Sequence, residues 1–144
     1  MPFNSFSIGK DVTIDVMTPS GLLPLPVTVT AFDMKPQYNR IKSIALDGVN
    51  REAALPTGWD GTITLDRQDG AIDDFFAQYE AGYYAGQNIL WSQITETINE
   101  ADGSVSQYRY TNVSLRFEDA GSKKGDDKIA QTIGVFASKR MKVA

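Results

Sequence analysis

The sequence predicts a mainly β protein: an antiparallel two-sheet sandwich or partly closed barrel with one flanking α-helix over about residues 70–84. Three observations lead there. Several segments alternate apolar and polar side chains with a period of two, which puts one face of a strand against a core. Asp102-Gly103 joins two such segments with a dipeptide that supplies the positive φ of a tight hairpin turn. A single stretch, Ile72 to Tyr83, repeats its large side chains at helical spacing. With 144 residues and neither an internal repeat nor a linker, the chain reads as one domain.

Taken in order, Val12, Ile14 and Val16 alternate with Asp11, Thr13 and Asp15, a half-buried strand. Thr18-Pro19-Ser20-Gly21 is turn chemistry, Pro24 and Pro26 exclude a helix, and Val27-Thr28-Val29-Thr30 resumes the alternation. These two segments are expected to pair as a hairpin with a long loop. Asp33 to Asn39, containing Pro36, reads as a connection, and Arg40 to Leu46 as a third short strand. Asp47 to Gly58 reads as a polar loop, long enough to raise a functional question. Trp59 to Arg67 sets Ile63 and Leu65 against Thr62, Thr64 and Asp66 and predicts another strand.

Asp69 stands where a helix N-cap belongs, and Asp73 and Asp74 fall in the first turn, where free N–H groups favour negative charge. Ile72, Phe75, Phe76, Tyr79 and Tyr83 then form an apolar stripe, closed by Gly82 and Gly86. Three long strands follow over residues 88–99, 104–118 and 129–143. In the second, the far end shows an apolar face (Val113, Leu115, Phe117) and the near end none, so the near end is expected to leave the core. The third is expected to place Ile129, Ile133, Val135 and Met141 on one face. Between them Glu118 to Lys128 is charged and glycine-containing, a solvated or partner-facing loop.

Composition excludes more chemistry than any motif supplies. Hydrophobic residues are 42% and charged residues 22%, as in ordinary folded domains, which argues against disorder. No cysteine and no histidine occur, so thiolate or imidazole zinc sites, disulfides and histidine-based triads are ruled out. A net charge of −4 disfavours sequence-independent nucleic-acid binding and suits a surface that repels DNA. No apolar run approaches the roughly 20 residues of a transmembrane helix. Met1 to Phe6 lacks the pattern of a secretory signal, so assembly in a cytoplasm is expected.

The remaining polar clusters have plain structural readings. Asp73 and Asp74 diverge by about 100° on a helix and are no acid/base pair. Asp119, Asp126 and Asp127 lack EF-hand spacing and stand among Lys123, Lys124 and Lys128, which makes them a solvated loop before a calcium site. Gly82-Tyr83-Tyr84-Ala85-Gly86 follows a helix and does not lead into one, so it is no phosphate cradle. Trp59, Trp91, Tyr108 and Tyr110 fit cross-strand packing better than a stacking platform. The basic residues Lys139, Arg140 and Lys142 suit a contact to an acidic neighbour as well as one to nucleic acid.

The order of these elements resembles the tail tube proteins of tailed phages. It comprises two N-terminal strands, a long loop, the strand Gly58-Trp59-Asp60-Gly61-Thr62-Ile63-Thr64-Leu65-Asp66-Arg67, the helix Asp73-Asp74-Phe75-Phe76-Ala77-Gln78-Tyr79-Glu80 and a long C-terminal hairpin. The resemblance implies hexameric rings stacked into a hollow conduit for a genome, with no catalytic, cofactor or metal site. It implies a virion tail assembled in the host cytoplasm, with further copies, sheath, baseplate and terminator proteins as partners, no membrane, and DNA passing without specific binding. Asp47, Gly48, Asn50, Arg51 and Glu52 become candidates for contact with the adjacent ring, and Lys123, Lys124, Asp126 and Asp127 for contact between subunits. Asp15, Thr62, Thr64 and Asp66 become lumen candidates on a hydrophilic, negative wall. The same fold serves phage-like bacteriocins and type VI secretion rings. The rival class is a monomeric carbohydrate- or ligand-binding β module.

Overall fold

The computed structural model describes residues 12–19, 21–23, 29–88 and 90–143. The elements are β1 (Val12–Thr18), β2 (Gly21–Leu23), β3 (Val29–Ile44), β4 (Asn50–Asp66), α1 (Ala71–Tyr84), β5 (Ser92–Asn99), β6 (Val105–Asp119), β7 (Ala130–Ala137) and β8 (Lys139–Lys142). All pairings are antiparallel. The strands form one open eight-stranded sheet in the order β2-β1-β5-β6-β7-β4-β3, with β8 also on β6. The predicted class holds, mainly β with one helix, and the predicted sandwich takes the form of two halves of one sheet that share β6.

Strand β6 serves both halves because its facing changes midway. Residues 105–113 pair with β5, and residues 114–119 pair with β7. Tyr110 is buried, and so are Val113 and Leu115, which lie on the opposite parity. The switch falls at Asn112, the one described non-glycine residue with positive φ (52°), beside a register shift between Ser92 and Ile94 on β5. Asparagine enters the left-handed region more readily than other non-glycine residues. The bulge re-aims the strand and buries Tyr110, while toward the hairpin tip the strand leaves the core as predicted, Val105 exposed and residues 106–109 half-buried. Across the ladder β7 ends at Ala137 and β8 begins at Lys139. Met141 consequently lies exposed, apart from buried Ile133 and Val135, with which sequence parity had grouped it.

The core lies between the halves and under the helix. Val16 and Ile94 come from one half, and Ile63, Leu65, Ile133 and Val135 from the other. Ile72 and Phe76 of α1 cap it, Phe76 stacking on Phe117 at 4.8 Å. Asp69 accepts a hydrogen bond from Ala71 N at 3.0 Å, while Gly70 holds the N-cap position. Asp73 is more than a dipole partner. It pairs with Arg67 at 2.7 Å and accepts from buried Gln131 Nε2 at 3.1 Å, tying the helix start to β7. At the predicted hairpin turn, Gly103 takes φ 88° and Asp102 accepts from Ser104 N.

Two expectations are corrected. β1 pairs with β2 and β5, not with the segment after the prolines; the latter opens β3, which pairs with β4. Pro24, Pro26, Val27 and Thr28 lie outside the described residues. Second, Asp33 to Asn39 is strand, and of Asp47 to Gly58 only residues 47–49 belong to a turn. β3 runs through Pro36 to Ile44, and β4 starts at Asn50. Pro36 is tolerated because β3 is a sheet edge, where its missing N–H costs no ladder bond on the outer side.

The buried and exposed parts of this hairpin should respond differently to truncation. Ile63→Ala is expected to cost about 2–5 kcal/mol, as for a core isoleucine. Ile41→Ala, on an exposed part of the same hairpin, is expected to stay within about 0.5 kcal/mol. Urea unfolding of the unassembled chain measures both, and equal losses would contradict the division.

Candidate assembly surfaces

The outer part of the β3–β4 hairpin is a two-stranded arm. Pairing of β4 with β7 begins at Trp59, so among the described strands Asn50 to Gly58 have only β3 as neighbour. All residues from Lys35 to Ile44 and from Asn50 to Thr57 are exposed. The ladder from Tyr38↔Pro56 to Ile44↔Asn50 spans ~20 Å at strand rise. A register shift between Gln37 and Tyr38 marks its base, opposite Gly58. Gly58 has φ 132°, and a Cβ there would stand 2.9 Å from Ala137 O and from the Phe136 ring. The base of the arm therefore requires glycine.

The tip is an ordered turn. Asp47 Oδ1 accepts from Val49 N at 2.9 Å, and Gly48 N donates to Ala45 O at 2.9 Å. Arg51 reaches Asp47 at 3.1 Å, and its hydrogen bond, with that from Val49 N, holds the Asp47 carboxyl below its usual pKa. On one face of the arm stand Tyr38, Arg40, Lys42 and Ile44, since neighbours in a strand alternate. Of the five residues predicted at an adjacent ring, Asp47 and Gly48 occupy the turn, and Asn50, Arg51 and Glu52 begin the return strand. An isolated two-stranded ribbon is marginal in water, so an arm of this length gains from a partner surface.

The lumen candidates divide between the halves. Thr62, Thr64 and Asp66 alternate with buried Ile63 and Leu65 on β4 and so share its outer face. Asp15 stands exposed on β1 opposite Thr95, in the other half. The outer face of β4 continues into a polar cleft with Asp33, Lys35, Asp60, Arg116 and Glu118. There Arg116 meets Glu118 at 2.9 Å and Asp60 at 3.7 Å. Lys123, Lys124, Asp126 and Asp127 all lie exposed in the β6–β7 connection. Among the described residues, no group of three or more metal-ligating side chains assembles.

Two arrangements escaped sequence reading. The first is a cationic box in which Arg140 lies 3.7 Å from the Tyr108 ring centre and 5.0 Å from that of Trp59, and 3.6 Å from Glu96. Trp59 and Phe32 pack edge-on against Tyr110. Burial raises the Glu96 pKa against the lowering by Arg140, and burial pushes Tyr110 to about 12. Trp59, Tyr108 and Tyr110 are thus occupied by Arg140 and form no open platform with Trp91. The parity flip at Thr111-Asn112 was the signal that would have turned Tyr108 and Tyr110 inward. The second is a groove of about 270 Å³ between α1 and β6, lined by Phe75, Tyr79, Tyr83, Trp91, Val113 and Leu115 among others.

No family model and no curated protein matches the sequence. Solved structures do match the fold. One is the tube terminating cap of the anti-feeding prophage, 10% identical with a TM-score of 0.65 over 100% of this chain and 95% of that one. Another is the PVC sheath/tube terminator of an extracellular contractile injection system, 14% identical with a TM-score of 0.63 over 100% and 98%. A chain of the PVC sheath–tube complex is 14% identical with a TM-score of 0.62 over 91% and 88%. The chain has a tail-tube-like fold. At these identities the likeness is one of fold alone.

The Arg140 box gives a stability prediction. Arg140→Ala is expected to cost about 2 kcal/mol through the lost ring and carboxylate contacts. Glu96 has a raised pKa, so its contribution is fully present below its unfolded value and is lost as pH rises through the folded one. Glu96→Gln should therefore gain on the wild type as pH rises from about 4.5 to 7, measured by urea unfolding across that range. A pH-independent difference would refute the assignment.

Proposed function

We propose that this chain is a non-catalytic structural subunit of a phage-like tail or injection tube, one that forms hexameric rings stacking into a hollow conduit. The exposed arm carries the reading: it is a long ribbon with no third strand among the described residues, an arrangement suited to a neighbouring copy. Support comes from the fold shared, over nearly whole chains, with tube and tube-terminator proteins. The open ends of the sheet, β2 and β3, supply edges that ring closure would cover.

In this reading Asp47, Gly48, Asn50, Arg51 and Glu52 reach the adjacent ring, and the Lys123–Asp127 connection meets a subunit neighbour. Thr62, Thr64, Asp66 and Asp15 contribute to a hydrophilic lumen past which DNA or another cargo slides without specific binding. Sheath, baseplate and terminator proteins are the further partners, and the product is a particle component assembled in the host cytoplasm. Two of the matching structures are a cap and a terminator, which favours one second reading, a tube-ending ring in place of a repeating one.

Negative-stain microscopy of the purified full chain tests both. Tubes of indefinite length identify the repeating subunit, and single rings identify the terminator. A 15.8 kDa monomer that persists at high concentration would end the proposal in favour of a monomeric binding module. In a reconstruction of the assembly, a lumen lined by lysine would contradict the charge argument.

A further inference from the structure

Two unpartnered apolar surfaces lie on this one chain. The groove beside α1 has about 270 Å³ of space, and no arm residue lines it. At its lip Trp91 is 65% exposed and Tyr83 58%. The arm tip carries Ile44, 77% exposed, together with fully exposed Leu46. A cavity of about 150 Å³ accommodates a benzene ring, so the groove has room for both aliphatic side chains.

The groove itself is lined by no charged side chain, but the arm and the helix beside the groove differ in charge. From Lys35 to Pro56 the arm holds four cations (Lys35, Arg40, Lys42, Arg51) and two anions (Asp47, Glu52). The helix α1 carries Asp73, Asp74 and Glu80 and no lysine or arginine; Asp73 is taken up by Arg67, which leaves Asp74 and Glu80. The last turn of α1 holds no basic residue, so the negative end of the helix dipole is uncompensated from within its own helix. Arg40 and Lys42 share an arm face with Ile44, which aligns the cations with the apolar tip.

We infer that the arm tip of one copy docks in the α1–β6 groove of a second copy. Ile44 and Leu46 enter the groove, and Arg40 and Lys42 lie along the acidic flank of α1 near Glu80. The inference rests on the assembly proposed above and names the surface that receives the arm. Donor and acceptor patches differ, so each copy gives one contact and receives another, the heterologous geometry that propagates an assembly.

The chain contains no cysteine, which makes engineered pairs unambiguous. Leu46→Cys combined with Tyr83→Cys, in the full chain under mild thiol oxidation, is expected to give a ladder of covalent multimers on a non-reducing gel. Each single variant should give at most a dimer. Leu46→Asp, at an exposed site that leaves the fold intact by circular dichroism, should lower the sedimenting fraction about tenfold. Glu80→Lys should lower it as well, with recovery when combined with Lys42→Glu. Normal particles from Leu46→Asp, with no ladder from the double-cysteine chain, would overturn the docking and leave the tube reading standing. A wild-type chain that never assembles would overturn the tube reading itself.

Discussion

The left-handed turn at Asn112 is the constraint on which the two-halved sheet depends. Strand β6 gives one stretch to β5 and the next to β7, and both must present apolar side chains inward. A regular strand cannot do this with Tyr108-Arg109-Tyr110 followed by Val113-Ser114-Leu115, because the inward positions change parity. One residue at positive φ supplies the missing half-period. Downstream of it, Leu115 and Phe117 meet the helix and the β7 core; upstream, Tyr110 receives Trp59 and Phe32 edge-on. The box around Arg140 follows from the same change, since β8 continues past Ser138 beside the re-aimed part of β6.

Legibility in the sequence followed local periodicity and failed where context outweighed it. Val12 to Val16, Ile63 and Leu65, the helix stripe from Ile72 to Tyr79 and the Asp102-Gly103 turn were all readable, because each is buried on one face or held by its own turn chemistry. Of the arm only the strand at Arg40 to Leu46 was readable. With solvent on both faces the rest has no alternation to display, and Pro36 and the Asp47-Gly48 pair read as breakers. Only the edge position of β3 makes Pro36 acceptable, and edge position is a property of the whole sheet. The partner of the N-terminal strand was also hidden, since β1 bonds to β5 across more than seventy residues of chain. Of the candidate surfaces, the residues around Asp47 were suggested by resemblance, whereas the groove at Tyr79, Tyr83 and Trp91 needs α1, β5 and β6 brought together.

The arm and the body differ in what keeps them ordered. The body is held by buried aliphatics of both halves and by the stacking of Phe76 on Phe117. The arm has its own cross-strand hydrogen bonds and exposed pairs such as Arg40–Glu52 at 3.7 Å and Arg51–Asp47 at 3.1 Å. Exposed pairs of this kind contribute little, being screened by solvent and offset by side-chain entropy. Such pairs add little to hold the free arm, so fixing it in the proposed docking has an entropic cost that the interface must offset.

That cost gives the apolar tip its significance. A contact made of Arg40, Lys42 and acidic groups alone would be screened at physiological salt, where the Debye length is about 8 Å. Ile44 and Leu46 add a component that salt does not weaken, and their exposure in the single chain leaves that component unused until a partner arrives. The two parts divide the work, charge steering the encounter and apolar burial holding it. Rising salt should therefore slow assembly much more than it loosens assembled particles, whereas an interface of charges alone would lose both together.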